Sequence, residues 1–258
     1  MYQGIGYSSS LDSGIVLTSP QRMCQGPLDN EPETTWSYSS GILCFARIFQ
    51  WQLADIVLGH DIAGLLLEAI TGQSFEDYIQ EHICQPLGLR STSFVVPSDL
   101  PDSIGSRTIA GDCTSEWMPV AYPISPKPSM YSGGGGLYTT AGELSLILAE
   151  ILNDGGRLFK SGDTARLLFE SRLTDRAESA LGAFLQYLWA SSPATLKAWE
   201  TAEPKFGLGY LVNAKDVAAT GRKAGTGSWW GMTGTTAWLD AESGIAVNRT
   251  FTFPFGIH

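Results

Sequence analysis

Ser129-Met-Tyr-Ser-Gly-Gly-Gly-Gly-Leu-Tyr-Thr-Thr-Ala-Gly-Glu-Leu-Ser-Leu-Ile-Leu-Ala-Glu-Ile-Leu-Asn-Asp-Gly-Gly156 joins four consecutive glycines to an amphipathic helix. Thr140 stands at the N-cap, and Glu143 three residues on completes a capping box. Leu144, Ile147, Leu148, Ile151 and Leu152 recur at helical spacing and predict one buried face. Asn153-Asp-Gly-Gly ends the helix. The glycines at 133–136 leave the backbone bare, so a neighbour comes close or the dihedrals are unusual. A phosphate loop would need a Lys and a following hydroxyl, and the run has neither.

Outward from this stretch, the chain divides by pattern. On its N-terminal side, residues 1–35 show no sustained period. Ile42–Gly59 is strongly apolar. Arg47, Gln50, Gln52 and Asp55 in its middle argue against a membrane span and for a buried or interfacial helix. Asp61–Thr71 reads as a helix with Ile62, Leu65, Leu66 and Ile70 on one face. Ser74 caps another, with Asp77 at the capping-box position. Its stripe is Phe75, Tyr78, Ile79, His82 and Ile83, which makes His82 a satisfied core histidine. Residues 91–128 carry six prolines and read as loop with short strands.

On the C-terminal side, Ser161–Leu173 and Arg176–Ala190 read as helices. Phe206–Val212 reads as one strand. Lys223–Trp230, Thr233–Asp240 and Gly244–Phe251 read as three antiparallel strands, with Ala241-Glu-Ser-Gly244 as a hairpin turn. Helices in the middle and a sheet at the end make an α+β organisation.

The net charge of −10 and the lack of a basic stripe argue against a nucleic-acid partner. Cys24, Cys44, Cys84 and Cys113 have no metal-ligand spacing and read as buried thiols of a reducing compartment. A cytoplasmic location is therefore expected. The N-terminus lacks the charged and apolar regions of a signal peptide. With three histidines and no G-x-S-x-G elbow, neither a metal centre nor an α/β-hydrolase triad is supported. No cofactor is expected.

The motifs resemble a known family when taken in order. Trp36-Ser-Tyr-Ser-Ser40 comes first, then Thr71-Gly-Gln-Ser-Phe-Glu-Asp-Tyr-Ile79 and Gln85-Pro-Leu-Gly-Leu-Arg-Ser-Thr-Ser-Phe94. Ser132-Gly-Gly-Gly-Gly-Leu-Tyr-Thr-Thr-Ala141 and Gly234-Thr-Thr-Ala-Trp-Leu-Asp-Ala-Glu-Ser-Gly-Ile245 follow. This order is similar to the serine β-lactamase-related family, in the branch of class C enzymes, esterases and fungal lovastatin-type transesterases. The resemblance implies a β-lactamase/transpeptidase-like fold, here incomplete. Residues 1–258 would form one partial domain, helical over about 60–200 and sheet over about 205–252.

That family uses three boxes. The tyrosine box matches at Tyr38-Ser39-Ser40, which implies Tyr38 as the catalytic proton carrier and Ser40 as a substrate contact. A tyrosine serves as a base only where charge or hydrogen bonds favour its phenolate. The third box, on the strand beside the oxyanion, matches at Trp230-Gly231-Met232-Thr233. These four would bind substrate, with a backbone N–H stabilising the oxyanion. The other reading of Trp230 is an aromatic residue of the core. Trp in place of Lys or His removes the cation that binds a β-lactam carboxylate, which points to neutral esters or thioesters. An acyl-carrier partner and a role in fungal secondary metabolism follow by resemblance only.

The first box, S-x-x-K, is absent: no Lys of the chain has Ser three residues before it. Thr220-Gly-Arg-Lys223 comes nearest. In the family the nucleophile precedes the tyrosine box by a long stretch, and only thirty-seven residues precede Tyr38. Gln3-Gly-Ile-Gly-Tyr7 resembles the segment just after the family's H-T-S-G turn, so the chain reads as starting inside the fold. In relatives the tyrosine turn runs almost directly into the helix that holds His60-Asp-Ile-Ala-Gly64. Residues 42–59 are thus expected to be an unspliced intron or an insertion. The readings left open are an acyl-transfer enzyme, a catalytically inactive binding remnant, and a gene-model fragment.

Overall fold

The computed structural model of the chain describes residues 55–95, 107–110, 117–120, 128, 130–134, 137–189, 193–230 and 235–250. Helix α1 spans Asp55–Thr71. It starts six residues ahead of the expected Asp61 and runs unbroken through the junction expected at Gly59. Residues 42–54 lie outside the described residues. Two residues of the expected apolar face point outward. Leu66 and Ile70 are 57% and 75% exposed, while Asp61 is fully buried. The reason is local: Gly64 lets the Phe75 ring lie against the helix, with its nearest carbon 3.0 Å from where a Cβ would stand. The inward side is therefore Asp61 and Gly64.

Helix α2, Phe75–Ile79, begins at Ser74, whose Oγ accepts the Asp77 amide at 3.1 Å. It passes into a π-helical turn, Gln80–Cys84, and then α3, Gln85–Leu87. A π turn holds one extra residue, which rotates everything after it. The buried series is consequently Ile79, Cys84, Leu87 and Leu89. His82 is turned outward, a correction to its expected place in the core. Its ring packs on Tyr78 at 4.2 Å. Phe94 is almost wholly buried between Phe75 and Tyr131, with ring centroids 5.1 and 5.5 Å apart. These residues make the first core cluster, which Ile147 of the next helix joins.

Strands β1 (Arg107–Ala110) and β2 (Trp117–Val120) form a separate antiparallel pair. Helix α4, Ala141–Leu152, follows with Thr140 as N-cap. Leu148 is buried as expected, and Glu150 is buried beside it. The helix expected over 161–173 is only α5, Gly162–Arg166. Helix α6, Asp175–Trp189, agrees with its pattern. Helix α7, Pro193–Ala202, was not foreseen.

The expected strand 206–212 is two strands, β3 (Lys205–Phe206) and β4 (Leu211–Val212), paired as a hairpin. The turn between them docks elsewhere, with Leu208 and Gly209 donating to the carbonyls of Leu167 and Leu168. Strands β5 (Gly227–Trp230), β6 (Thr235–Asp240) and β7 (Ile245–Thr250) complete a five-stranded sheet. All its neighbours are consecutive and antiparallel. Gly244 closes the β6–β7 turn at φ +66°, the left-handed conformation expected there. Leu181 and Leu185 of α6 pack on Leu211, with Trp199, Trp229 and Trp230 around them. Helix α4 packs on β7, where Asn248 Nδ2 donates to Ala141 O at 3.1 Å and Ser145 Oγ at 2.7 Å.

Candidate functional site

Among the residues expected to act, Trp230 is described. Tyr38, Ser40, Gly231, Met232 and Thr233 lie outside the described residues. Trp230 ends strand β5, with Thr236 of β6 as its register partner. It is half-buried in an aromatic cluster, its ring 4.8 Å from Trp229 and 6.1 Å from Trp199 of α7. Phe206 meets Trp229 edge-on at 5.2 Å. The end of strand β5 is thus anchored by aromatic packing. Sequence reading missed Trp199, because α7 is short and its start signal, Ser192 before Pro193, went unused.

The glycine run sits against α1. Asp61 Oδ1 accepts Ser132 Oγ at 2.8 Å and the Gly134 amide at 3.2 Å. A Cβ on Gly133 would stand 2.6 Å from the carbonyl oxygen of His60. Only glycine permits that approach. Burial pushes the Asp61 carboxyl up from its ordinary range. The Ser132 hydroxyl and the amides of Gly134 and Gly133 oppose this without reversing it. Asp61 also escaped sequence reading, since an acidic residue early in a helix reads as a solvated first-turn charge.

The segment after α3 is held by two carboxylates. Glu143 accepts the amides of Arg90 and Ser91 and the Thr92 hydroxyl. Glu76 accepts the Ser93 hydroxyl at 2.8 Å and the Phe94 amide at 2.7 Å. Glu143 sits at the capping-box position, but its carboxylate binds this distant turn. The capping contact that exists is the other half of the box, Thr140 Oγ1 accepting the Glu143 amide at 3.2 Å.

Thr220 and Lys223, the nearest approach to S-x-x-K, do not form a nucleophile pair. Thr220 lies in a turn and Lys223 in irregular chain, neither on a helix. Thr220 Oγ1 donates to the Val217 carbonyl, and Lys223 Nζ pairs with Asp216 at 3.1 Å. The hydrogen bond and charge of Asp216 raise the Lys223 pKa, the wrong direction for a base. Among the described residues no group of His, Cys, Asp and Glu could hold a metal ion. None of their helices is long and apolar enough to cross a membrane. Cys84 is buried and free.

An antiparallel meander with helices on it, preceded by a glycine turn docked on a helix, is matched over residues 57–254 by the Beta-lactamase family model. The chain belongs to the β-lactamase family. Two curated relatives show what this β-lactamase-family chain is similar to. Esterase EstB of Burkholderia gladioli is 26% identical over 96% of this chain and 57% of its own length. Monacolin J acid methylbutanoyltransferase of Aspergillus terreus is 25% identical over 87% of this chain and 51% of its own length. The chain thus spans about half the length of the curated relatives it matches. Solved structures give the fold. Simvastatin synthase of Aspergillus terreus superposes with a TM-score of 0.63 at 23% identity, covering 74% of this chain and 48% of that one. EstCE1, described as a hydrolase with promiscuous acyltransferase activity, gives 0.57 at 21%, covering 78% and 54%.

Proposed function

We propose that this β-lactamase-family chain carries the tyrosine and oxyanion-strand part of an acyl-transfer site of the esterase and transesterase type. Its substrates are small neutral esters or thioesters. Tyr38 would move the proton between attacking and leaving groups, and Ser40 would contact substrate. Trp230, Gly231, Met232 and Thr233 would line the strand whose backbone N–H receives the oxyanion. The serine and lysine of S-x-x-K are not among the 258 residues. Turnover therefore requires that box from another segment. An acyl-carrier partner and a place in fungal secondary metabolism belong to the same proposal.

The observation that supports this reading most is the pair of curated relatives. An esterase and an acyltransferase each match nearly the whole chain. The packed Trp230 strand and the lack of a Lys or His in its box favour a neutral substrate. The absence of S-x-x-K favours a second reading, a non-catalytic protein that keeps the cleft.

The test is to isolate the transcript and express its whole reading frame. Hydrolysis of p-nitrophenyl butyrate is then measured for that protein and its Tyr38→Phe variant. The acyl-transfer reading expects hydrolysis that falls at least a hundredfold in the variant, a general acid–base contribution of about 10²–10⁴. A folded protein that hydrolyses no ester would select the second reading.

A further inference from the structure

Asp61 is fully buried, and its hydrogen bonds among the described residues come from uncharged groups. Its Oδ1 takes two donors, Ser132 Oγ and the Gly134 amide, from a segment about seventy residues away. Among the described residues no group donates to Oδ2, which is itself shielded from solvent. On the same turn of α1, the His60 carbonyl oxygen lies 2.6 Å from where a Gly133 Cβ would stand. Helix and glycine run are thus in backbone contact at Gly133, with hydrogen bonds to one carboxyl oxygen on either side. This is more than a helix needs in order to be covered. Apolar packing would bury α1 without fixing the path of the chain, whereas two donors converging on one oxygen fix it.

We propose that Asp61 is a positioning residue, the latch by which α1 sets the course of the glycine run where it enters the acyl-transfer site. This takes the run, one of the motifs shared with the family, to border the acyl-transfer site proposed above. A carboxyl with one shielded, undonated oxygen is poorly placed to carry a full charge. His60, its neighbour in the chain, acts on it by charge and favours ionisation. Ser132 and the glycines bring no charge of their own. The neutral form is favoured relative to a free aspartate, so an amide of the same shape is the variant that keeps the acceptor without the charge.

The sign of the pH dependence follows. Asp61 has a higher pKa folded than the 3.8 ordinary for an aspartate. Between 3.8 and the raised value, the folded chain therefore holds a proton that the unfolded chain has released. Stability contributed by that proton is present below 3.8 and falls as pH rises to the raised value.

The experiment compares the chain with Asp61→Asn, Asp61→Ala and Ser132→Ala by amide hydrogen exchange and by melting between pH 4 and 8. Exchange at Gly134 is expected to rise about tenfold in Asp61→Ala, the loss of roughly one hydrogen bond, and to stay near the parent value in Asp61→Asn. Asp61→Asn is expected to gain in melting temperature relative to the parent as pH rises. Ser132→Ala, which removes one donor, is expected to lose more at pH 8 than at pH 4. Should Asp61→Ala not fold, the other two variants carry the test. Unchanged Gly134 exchange in a folded Asp61→Ala would overturn the latch. So would a flat difference between Asp61→Asn and parent, or a pH-independent loss in Ser132→Ala. None of these readouts needs an ester. A failed acyl-transfer reading leaves them standing, and a failed latch leaves ester hydrolysis to be judged separately.

Discussion

Glu143 Oε1 accepts the backbone amide of Arg90 at 2.7 Å, joining positions 53 residues apart. The bond ties the first turn of α4 to the chain leaving α3. The Ser91 amide and the Thr92 hydroxyl, at 2.9 and 2.6 Å, complete a three-donor cradle for one carboxylate. Burial alone would raise the Glu143 pKa. The Thr92, Arg90 and Ser91 hydrogen bonds outweigh it, and the pKa is lowered from 4.5.

That gives an acid-stability prediction. A carboxylate with a lowered folded pKa contributes stability that is complete above 4.5 and lost as pH falls through the lowered value. Glu143→Gln should cost about 1–3 kcal/mol at pH 7 by denaturant titration, since hydrogen bonds to charged groups are worth that much. The cost should shrink toward zero as pH falls through the lowered value. A cost independent of pH would contradict the cradle.

The buried Glu150 is held in the same manner within one turn. It accepts Arg157 N at 2.6 Å and Nε at 2.7 Å, beside a salt bridge to the same side chain. Arg157→Ala leaves a buried carboxylate with one backbone donor. Half the Arg side chain is exposed, so the loss should fall below that of a fully buried pair, at about 2–3 kcal/mol. Arg157→Lys should recover only part of it. Chemical denaturation of both variants checks this.

Gly133→Val should destabilise more than Gly156→Val. At Gly133 a side chain meets the His60 carbonyl 2.6 Å away, while at Gly156 nothing lies within 4 Å. Overpacking of this kind costs about 1–3 kcal/mol. Equal melting temperatures for the two variants would remove the close approach from the account.

Much of the fold was legible in local signals. Thr140 and Ser74 cap their helices because a hydroxyl satisfies an amide that has no helical partner. The β6–β7 hairpin was readable from Gly244, which the turn requires in a left-handed conformation. What was not legible depends on partners distant in sequence. Glu143 looked like a capping-box acid, and only the return of residues 90–92 gives it another role. The π turn at Gln80–Cys84 moved His82 out of the core, and periodicity cannot register an inserted residue. Leu66 and Ile70 looked like a core face, but the Asp61–Gly64 side was taken by Phe75 and the glycine run. The family was readable as motifs in order, and the strand ending at Trp230 from its pattern. Asp61 was not, because its role exists only once Ser132 and Gly134 come back to it.

Sequencing the transcript tests the segment 42–59. A message joining Gly41 to His60 is the outcome expected of an intron, and a message that encodes the segment makes it an insertion. Helix α1 already includes 55–59, so removal of these residues should shorten that helix from its N-terminal end. Circular dichroism of the two forms would register the difference.

The central claim is that this chain holds the tyrosine and oxyanion-strand part of an acyl-transfer site whose nucleophile box lies elsewhere. Intact-mass analysis after treatment with a fluorophosphonate tests it most directly, on the 258-residue chain and on the protein from the whole transcript. The account predicts that the 258-residue chain stays unlabelled while melting cooperatively. It predicts one label on the longer protein, at the serine of an S-x-x-K segment. A covalent label on the 258-residue chain itself, or none on either, would contradict it.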